Sequence, residues 1–321
     1  MRMNSFEKKS LRILRSAYRR IFLRRGTPVK PDITGQMASD LIKQTLASDK
    51  PCMICRFGSV ELNAILKYVD INDPRSAAKK SLGYIRGEIG EFWWDERTLQ
   101  KMQKNAGFFP ATDAALNRFC ERTLEEIKGI DILASWQQED IRLRKHFPEA
   151  AIVHLLDLNP WTHKDSWSHA LKGKRVLVVH PFSKTIAGQY KKRELLFDNK
   201  TILPEFELIT LKAVQSIGGT KVPFTTWFDA LDYMCNKISN TDFDVAIIGA
   251  GAYGMPLASF VKSLGKKAVH LGGVTQMLFG IRGKRWDKQA LKYNLYNEHW
   301  VRASSDETPV NFKAVEKGCY W

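Results

Sequence analysis

Three glycines near the C-terminal end of the chain follow a short apolar run with the spacing of a phosphate-binding turn. They are Gly249, Gly251 and Gly254, and a helix-like segment comes after them. The first glycine allows a sharp turn, the second lets the backbone approach a ligand, and the third lets the helix pack on the strand. The helix N-terminus then presents free N–H groups to an anion. We expect these glycines, with Ala252 and Tyr253, to bind the phosphate of a nucleotide.

The second half of a dinucleotide-binding motif is missing. Such a site needs an acidic residue about 20 residues further on, at the end of the next strand, to hold the ribose. Here that strand ends in His270, followed by Gly272 and Gly273, and no acid stands there. This argues against NAD, although His270 or Lys266 and Lys267 can meet the 2′-phosphate of NADP. A nucleotide sugar is the favoured ligand, and an NAD(P)-binding oxidoreductase or epimerase is the alternative.

A second group of polar residues follows the first predicted strand, which covers residues 51–56. Arg56 can hold a diphosphate by a forked pair of hydrogen bonds. Gly58 permits a tight turn, Ser59 can cap the next helix, and Glu61 falls in the first turn of that helix. Glu61 is therefore either a functional carboxylate or an acid that merely stabilises a helix N-terminus.

Further candidates follow two other strand-like runs. His180 ends one of them, and Lys184 and Lys192 come after it. Cations at these positions can neutralise a diphosphate, although a solvated helix face is the alternative for the lysines. Asp157 follows another run and is a candidate base toward an acceptor hydroxyl.

These residues need a scaffold that brings several strand ends together. The chain has 321 residues, 44% of them apolar, which is enough for a full core. Apolar runs alternate with amphipathic segments, at residues 51–56, 130–135, 151–156, 175–180, 206–211, 243–248 and 267–271. This alternation predicts an α/β fold with a doubly wound, mostly parallel, Rossmann-like sheet. We expect one catalytic domain over residues 26–321, beginning with a linker at residues 26–31.

The five cysteines have no metal-binding pattern. Cys52 and Cys55 have the spacing of a zinc or redox pair, but they fall within a strand and no second pair follows. We expect buried free thiols, in keeping with a reducing cytosol and with the absence of a signal peptide.

Residues 1–25 have the composition of a basic amphipathic helix. They hold nine Lys or Arg and one acid, Glu7, in a chain of net charge +16. Apolar residues recur at three- and four-residue steps, namely Leu11, Leu14, Ala17, Tyr18, Ile21 and Phe22. Charge interrupts this stretch too often for a bilayer span. We expect the helix to lie on an anionic membrane surface, with docking on its own domain or on nucleic acid as alternatives. No RNA-binding motif accompanies it, so no nucleic-acid partner is expected.

The loop from Arg56 to Glu61 resembles that of bacterial glycosyltransferases of the GT-D fold, in which an Arg-x-Gly-Asp-x-Glu-like loop follows the first strand. More loosely, the resemblance extends through residues 180–184, 189–193, 249–254 and 280–286. Those stretches look like uncharacterised proteins of surface-polysaccharide gene clusters. The family's Asp-x-Glu pair coordinates a divalent metal, Mn or Mg. Ser59 stands in place of the first carboxylate here, so Glu61 is the metal ligand that remains and the expected metal affinity is low.

The resemblance implies a GT-D-like catalytic domain that acts on a nucleotide diphosphate sugar. The implied acceptor is a lipid-linked surface glycan of a bacterium. Arg56, Glu61 and Asp157 are then the candidate catalytic residues. The basic helix implies a cytoplasmic, peripheral location at the inner face of the cell membrane.

Overall fold

A single parallel β-sheet forms the centre of the structure. The computed structural model describes residues 3–22 and 31–321. The strands are β1 (Cys52–Cys55), β2 (Ile132–Ser135), β3 (Ala151–His154), β4 (Arg175–His180), β5 (Glu207–Lys212), β6 (Val245–Ile248) and β7 (Lys267–His270). They pair in parallel in the order β3-β2-β1-β7-β6-β4-β5. Each lies within two residues of a predicted strand, so the expected α/β fold with a parallel sheet is confirmed.

Helices cover both faces of this sheet. The α-helices of the described residues are α1 (Ser5–Phe22), α2 (Gln36–Ala47), α3 (Ser59–Ile71), α4 (Ala77–Arg86), α5 (Glu96–Ala106), α6 (Asp113–Glu126), α7 (Ser183–Tyr190), α8 (Arg193–Leu196), α9 (Trp227–Ser239), α10 (Gly254–Ser263), α11 (Thr275–Leu278) and α12 (Asp287–Lys292). Helices α3, α6, α9 and α10 share one hydrophobic core with the sheet. Helices α2, α7 and α11 share the other, so the sheet is doubly wound.

Successive strand residues point into opposite cores. In β4, Val179 belongs to the first core and Val178 to the second, and both are fully buried. In β1, Cys55 and Cys52 divide in the same way. Burial on both faces explains why these strands read as continuous apolar runs. All five cysteines are buried free thiols, as predicted.

The chain leaves neighbouring strands towards opposite faces. After β1 and β6 it enters α3 and α10, which pack in the first core. After β4 and β7 it enters α7 and α11, which pack in the second. Because β7 lies between β1 and β6, and β4 lies next to β6, the departing segments separate at this part of the sheet. A crevice forms at the carboxyl ends of such strands, and ligands of open α/β sheets bind there.

Helix α1 packs against the domain near α4. Leu11 is buried in a small cluster that includes Tyr84 and Ile89. Arg15 Nη1 donates to the backbone carbonyls of those same two residues, at 2.9 and 2.6 Å. Its guanidinium also lies over the Tyr84 ring, 4.4 Å from the ring centroid. The helix is therefore attached by both apolar and polar contacts.

A balanced group of charges completes this attachment. Arg12 forms ion pairs of 2.7 Å with both Glu91 and Asp95, and the buried Lys67 pairs with Glu91 at 2.8 Å. Asp95 is also the N-cap of α5, because it accepts from the backbone of Thr98 at 2.9 Å. Burial disfavours its charged form, but the Thr98 hydrogen bonds and the charges of Lys67 and Arg12 lower the pKa of Asp95 to about 2. Glu91 and Asp95 therefore attach α1 to the domain, and Asp95 also stabilises the start of α5.

Parts of the predicted N-terminal region lie outside the described residues. These parts are residues 1–2 and 23–25 of the expected helix and residues 26–30 of the expected linker. Within the described residues, no helix combines the length and the apolar character that crossing a bilayer requires.

Candidate functional site

A cleft opens at the carboxyl end of the sheet, where β1, β7, β6 and β4 end. Its space, with the solvent at the open mouth included, is about 1100 Å³. The predicted residues that line it are Arg56, Gly58, Ser59, Glu61, His180, Gly249, Gly251 and Tyr253. Ala252 lines a smaller cavity next to Glu61. The structure thus brings the loop after β1 and the glycine turn after β6 to one place.

Arg56 presents a free guanidinium edge beside the cleft. Its Nε and Nη2 both donate to the carbonyl of Phe57, at 3.1 and 2.7 Å, and this fixes the side chain. Nη1 has no acceptor among the described residues and lies near Gly272, where a Cβ would be 3.3 Å from it. Burial lowers the pKa of Arg56, although an arginine remains protonated in proteins. The free N–H groups of Nη1 are suited to an anionic ligand.

Glu61 is a carboxylate without a side-chain partner. It lies in the first turn of α3 and folds back over Gly58, where a Cβ would overlap its Oε2. Its carboxylate interacts with its own backbone N–H. Burial raises the pKa of Glu61, and that bond and the charges of Arg56 and Arg285 oppose the rise. A carboxyl group of raised pKa that lines a cleft is suited to accept a proton.

Two neutral histidines flank the glycine turn. Burial lowers the pKa of both His180 and His270 to about 3. The Nδ1 of His180 accepts from the backbone N–H of Phe182 at 2.9 Å, so its proton is assigned to Nε2. That Nε2 has no acceptor among the described residues. His180 is therefore a neutral hydrogen-bond donor in the cleft rather than a cation.

The glycine turn needs two of its glycines for packing. A Cβ at Gly249 would lie within 2.7 Å of three atoms, namely His180 Cδ2, Thr275 Oγ1 and the carbonyl oxygen of Gly272. A Cβ at Gly254 would overlap the ring of His270, which ends β7. The expected close packing of the following helix against a strand is therefore present.

The remaining glycine, Gly251, leaves the start of the helix open to the cleft. Gly251 has a φ of +55°, which L side chains rarely adopt, and the nearest atom to a Cβ there would be 3.6 Å away. Gly251–Tyr253 forms a single 3-10 turn that leads into α10. The backbone N–H groups of Gly251 and Ala252 bond to none of the described residues. Free N–H groups at a helix start attract anions.

The C-terminal segment supplies residues that the sequence analysis did not assign to the site. Arg285 lines the cleft, and its Nη1 pairs with Glu316 Oε2 at 2.6 Å and lies 3.3 Å from Tyr320 Oη. Trp286 and Tyr320 line the same cleft. In the sequence, residues 280–286 belong to the looser resemblance to GT-D glycosyltransferases, and no binding role is predicted for them. A basic and aromatic segment bounded by glycines was the available signal.

Gly254 packs against His270 and does not line the cleft. Three further predicted residues lie away from both the cleft and the glycine turn. Asp157 follows β3, the edge strand, where its Oδ2 accepts from the N–H of Gly35 at 3.1 Å. Lys184 extends into solvent and pairs with Asp306 at 2.8 Å. Lys192 is exposed between α7 and α8. The structure does not bring these side chains together with Arg56 and Glu61.

Two local interpretations need correction. Ser59 does not cap α3: Gly58 is the N-cap, and the exposed Ser59 is the first helical residue. Lys267 begins β7, and Lys266 precedes it, so both lie at the amino end of the strand, opposite the cleft. The Lys266 Nζ donates to the carbonyl of Phe243 instead. Those lysines cannot meet the 2′-phosphate of a dinucleotide bound in the cleft.

Comparisons with known proteins give no relative for this chain. No protein-family model, curated protein or solved structure matches it. Within the described residues, no three His, Cys, Asp or Glu side chains are grouped as a metal site would require.

Proposed function

We propose that this protein is a GT-D-like glycosyltransferase that moves a sugar from a nucleoside diphosphate to a hydroxyl group of a glycan. The observation that carries the proposal is the composition of the cleft. A partner-free carboxylate, Glu61, lies in the same cleft as two guanidinium groups and a glycine turn with free N–H groups. The same loop, from Arg56 to Glu61, carries the resemblance to that class of enzyme.

The donor diphosphate binds among the anion donors of the cleft and of the smaller cavity beside it. Arg56 Nη1, the N–H groups of Gly251 and Ala252, and His180 Nε2 all lack a partner among the described residues. Arg285 adds a second positive charge at the same cleft. Groups that already point at the diphosphate stabilise the negative charge that develops on it when the sugar departs.

Glu61 is the base of the proposed reaction. The acceptor hydroxyl oxygen bonds to the anomeric carbon, while the bond from that carbon to the diphosphate oxygen breaks. The hydroxyl proton passes to Glu61, and the nucleoside diphosphate leaves with the electron pair. A base in this role must be ionised before the reaction and within reach of the hydroxyl.

The residues present do not fit the divalent metal that the resemblance implies. Glu61 is one carboxylate, Ser59 offers only a hydroxyl, and Glu316 is already paired with Arg285. Mn and Mg sites use several oxygen ligands, usually with carboxylates among them. We therefore assign the neutralisation of the diphosphate to the two arginines.

The proposed acceptor is a lipid-linked surface glycan at the inner face of the cell membrane. This part of the proposal is supported by the resemblance and by the basic composition of residues 1–25. The rival NAD(P) function has lost its candidate cations, because Lys266 and Lys267 lie at the other end of β7 and His270, which lines the cleft, is neutral.

We expect a nucleotide sugar, and not NADPH, to stabilise the protein against heat. The assay is a thermal-shift screen of UDP-glucose, UDP-galactose, UDP-N-acetylglucosamine, GDP-mannose and NADPH, each with EDTA and with manganese. A rise in Tm with at least one sugar nucleotide, equal in EDTA and manganese, is the expected result. Stabilisation by NADPH alone would favour an oxidoreductase. Stabilisation by a sugar nucleotide that requires manganese would contradict the role given to the arginines.

A further inference from the structure

The outward side of α1 is apolar and has no partner among the described residues. Phe6, Ile13, Leu14 and Ile21 are 78%, 60%, 52% and 72% exposed. Their spacing places them along one side of the helix, which we call the apolar stripe of α1. Phe22, at the end of the helix, is 65% exposed as well. One helix thus carries five of the fifteen large apolar side chains that are exposed in the described structure.

The contacts of α1 with the domain leave this stripe free. Leu11, Arg12 and Arg15 contact the domain, and the stripe residues lie on the other side of the helix. The spacing of Leu11 and Leu14 predicts that they share one apolar face of the helix. The structure separates the two, because Leu11 is 9% exposed and Leu14 is 52% exposed. Docking on the domain and contact with a second surface are therefore compatible.

Basic side chains border one edge of the apolar stripe. Lys9 and Arg20 are exposed and form ion pairs with none of the described residues. Glu7 is the one acid among residues 1–25, against nine basic residues. A helix with an apolar face bordered by Lys and Arg binds at the interface of anionic lipids, where the apolar side chains enter the acyl boundary and the cations meet the headgroups.

We propose that the apolar stripe of α1, with Lys9 and Arg20, docks the protein on an anionic lipid surface. The proposal does not depend on the chemistry assigned to the cleft. The structure also relates the two regions, because α5 begins beside Arg12 and ends at Ala106, which lines the cleft. Eleven helical residues span roughly 16 Å. The attachment point of α1 and the cleft are therefore separated by roughly the length of α5.

The test is co-sedimentation of the full chain with vesicles of phosphatidylcholine alone and of phosphatidylcholine with phosphatidylglycerol. The variant Ile13→Ser/Ile21→Ser should lower the partition constant by about 100-fold, because burying each isoleucine contributes about tenfold. Lys9→Ser/Arg20→Ser should lower binding to the anionic vesicles, and added salt should do the same. Ile141→Ser/Leu291→Ser is the matched control, because those side chains are 66% and 75% exposed elsewhere. It should bind vesicles like the unchanged protein.

Three outcomes would overturn this inference. The first is that the unchanged protein does not bind anionic vesicles. The second is that the stripe variant and the matched control bind equally. The third is that analytical ultracentrifugation shows the stripe joining two copies of the chain, with the variant monomeric. The nucleotide-sugar assay separates this inference from the proposed function, because the stripe variant should keep its thermal shift.

Discussion

Replacing Glu61 by glutamine should reduce the rate of sugar transfer at least about 100-fold while leaving the donor bound. Loss of a general base costs about 10² to 10⁴ in rate. Glutamine keeps the shape of the side chain but cannot accept the proton. The measurement is kcat for release of nucleoside diphosphate, together with the donor Kd from calorimetry. Ser59→Ala is the control, because Ser59 is exposed in the same loop and should keep its kcat. Full activity of Glu61→Gln would reduce this carboxylate to a helix-start residue.

The same substitution should make the protein more stable at neutral pH. Burial raises the pKa of Glu61, so ionisation of this group costs more in the folded chain than in the unfolded one. At pH 7 the unfolded chain carries this group ionised, and the folded chain must either bury that charge or take up a proton, so glutamine removes a cost of folding. The gain in the free energy of unfolding should vanish below the ordinary pKa of a glutamate, where the group is protonated in both states. A catalytic role that opposes stability differs in this way from a structural one.

The pH dependence of kcat/KM should have the matching sign. A general base acts only when ionised, so if Glu61 has that role the rate should rise as the pH increases through its raised pKa. The acidic limb should therefore lie above the 4.5 that is ordinary for a glutamate. A limb at or below that value would show that another group controls the reaction.

Replacing Arg285 by alanine should weaken the binding of the donor and of its nucleoside diphosphate about 10- to 100-fold. A hydrogen bond to a charged group contributes about 1.5–3 kcal/mol, which corresponds to such a factor. The control is Lys284→Ala, which removes the same charge from the neighbouring position outside the cleft. Calorimetric titration in EDTA measures both variants. Equal loss in both would indicate a general electrostatic effect, and no loss in Arg285→Ala would remove the residue from the site.

A companion variant tests the partner of Arg285. Glu316→Gln removes the carboxylate that Arg285 contacts at 2.6 Å. The guanidinium would then have one fewer competing acceptor, so donor binding should be retained or strengthened. Weakened binding would mean that Glu316 positions Arg285 rather than competing for it.

The sheet could be predicted because burial determines its strands directly. Val178 and Val179 face opposite cores, so both must be apolar, and this gives the continuous run visible in the sequence. The glycine turn was also readable, since Gly249 and Gly254 lie where a Cβ would meet neighbouring atoms. Local packing rules were sufficient for these features.

Other parts of the site depend on contacts between distant segments, which single-strand patterns do not reveal. Arg285 reaches the cleft because the chain returns across the carboxyl end of the sheet after β7. Asp157 was placed correctly after a strand, but β3 lies at the edge of the sheet and away from the cleft. The cleft forms where β1, β7, β6 and β4 end, and β3 is not among these strands. The order of strands in a sheet cannot be read from their individual sequences.

The state of ionisable groups required the three-dimensional environment as well. The sequence predicts that His180 contacts a diphosphate. In the structure its buried ring is neutral, so it can offer a hydrogen bond from Nε2 but no positive charge. Lys184 seemed suited to the same role, but its backbone N–H donates to Glu307 at 2.7 Å and its side chain extends into solvent. Burial and orientation distinguish these residues, and neither is encoded in their spacing.

The most direct test of the proposed function is the transfer of a labelled sugar. The protein is incubated in EDTA with the radiolabelled sugar nucleotide that gives the largest thermal shift and with a bacterial lipid extract, and the label is followed into the lipid fraction. We predict label in that fraction together with an equal amount of released nucleoside diphosphate, and neither product with Glu61→Gln. Release of nucleotide at the same rate by both proteins, or a bound donor that remains intact with every acceptor fraction, would contradict glycosyl transfer at this cleft.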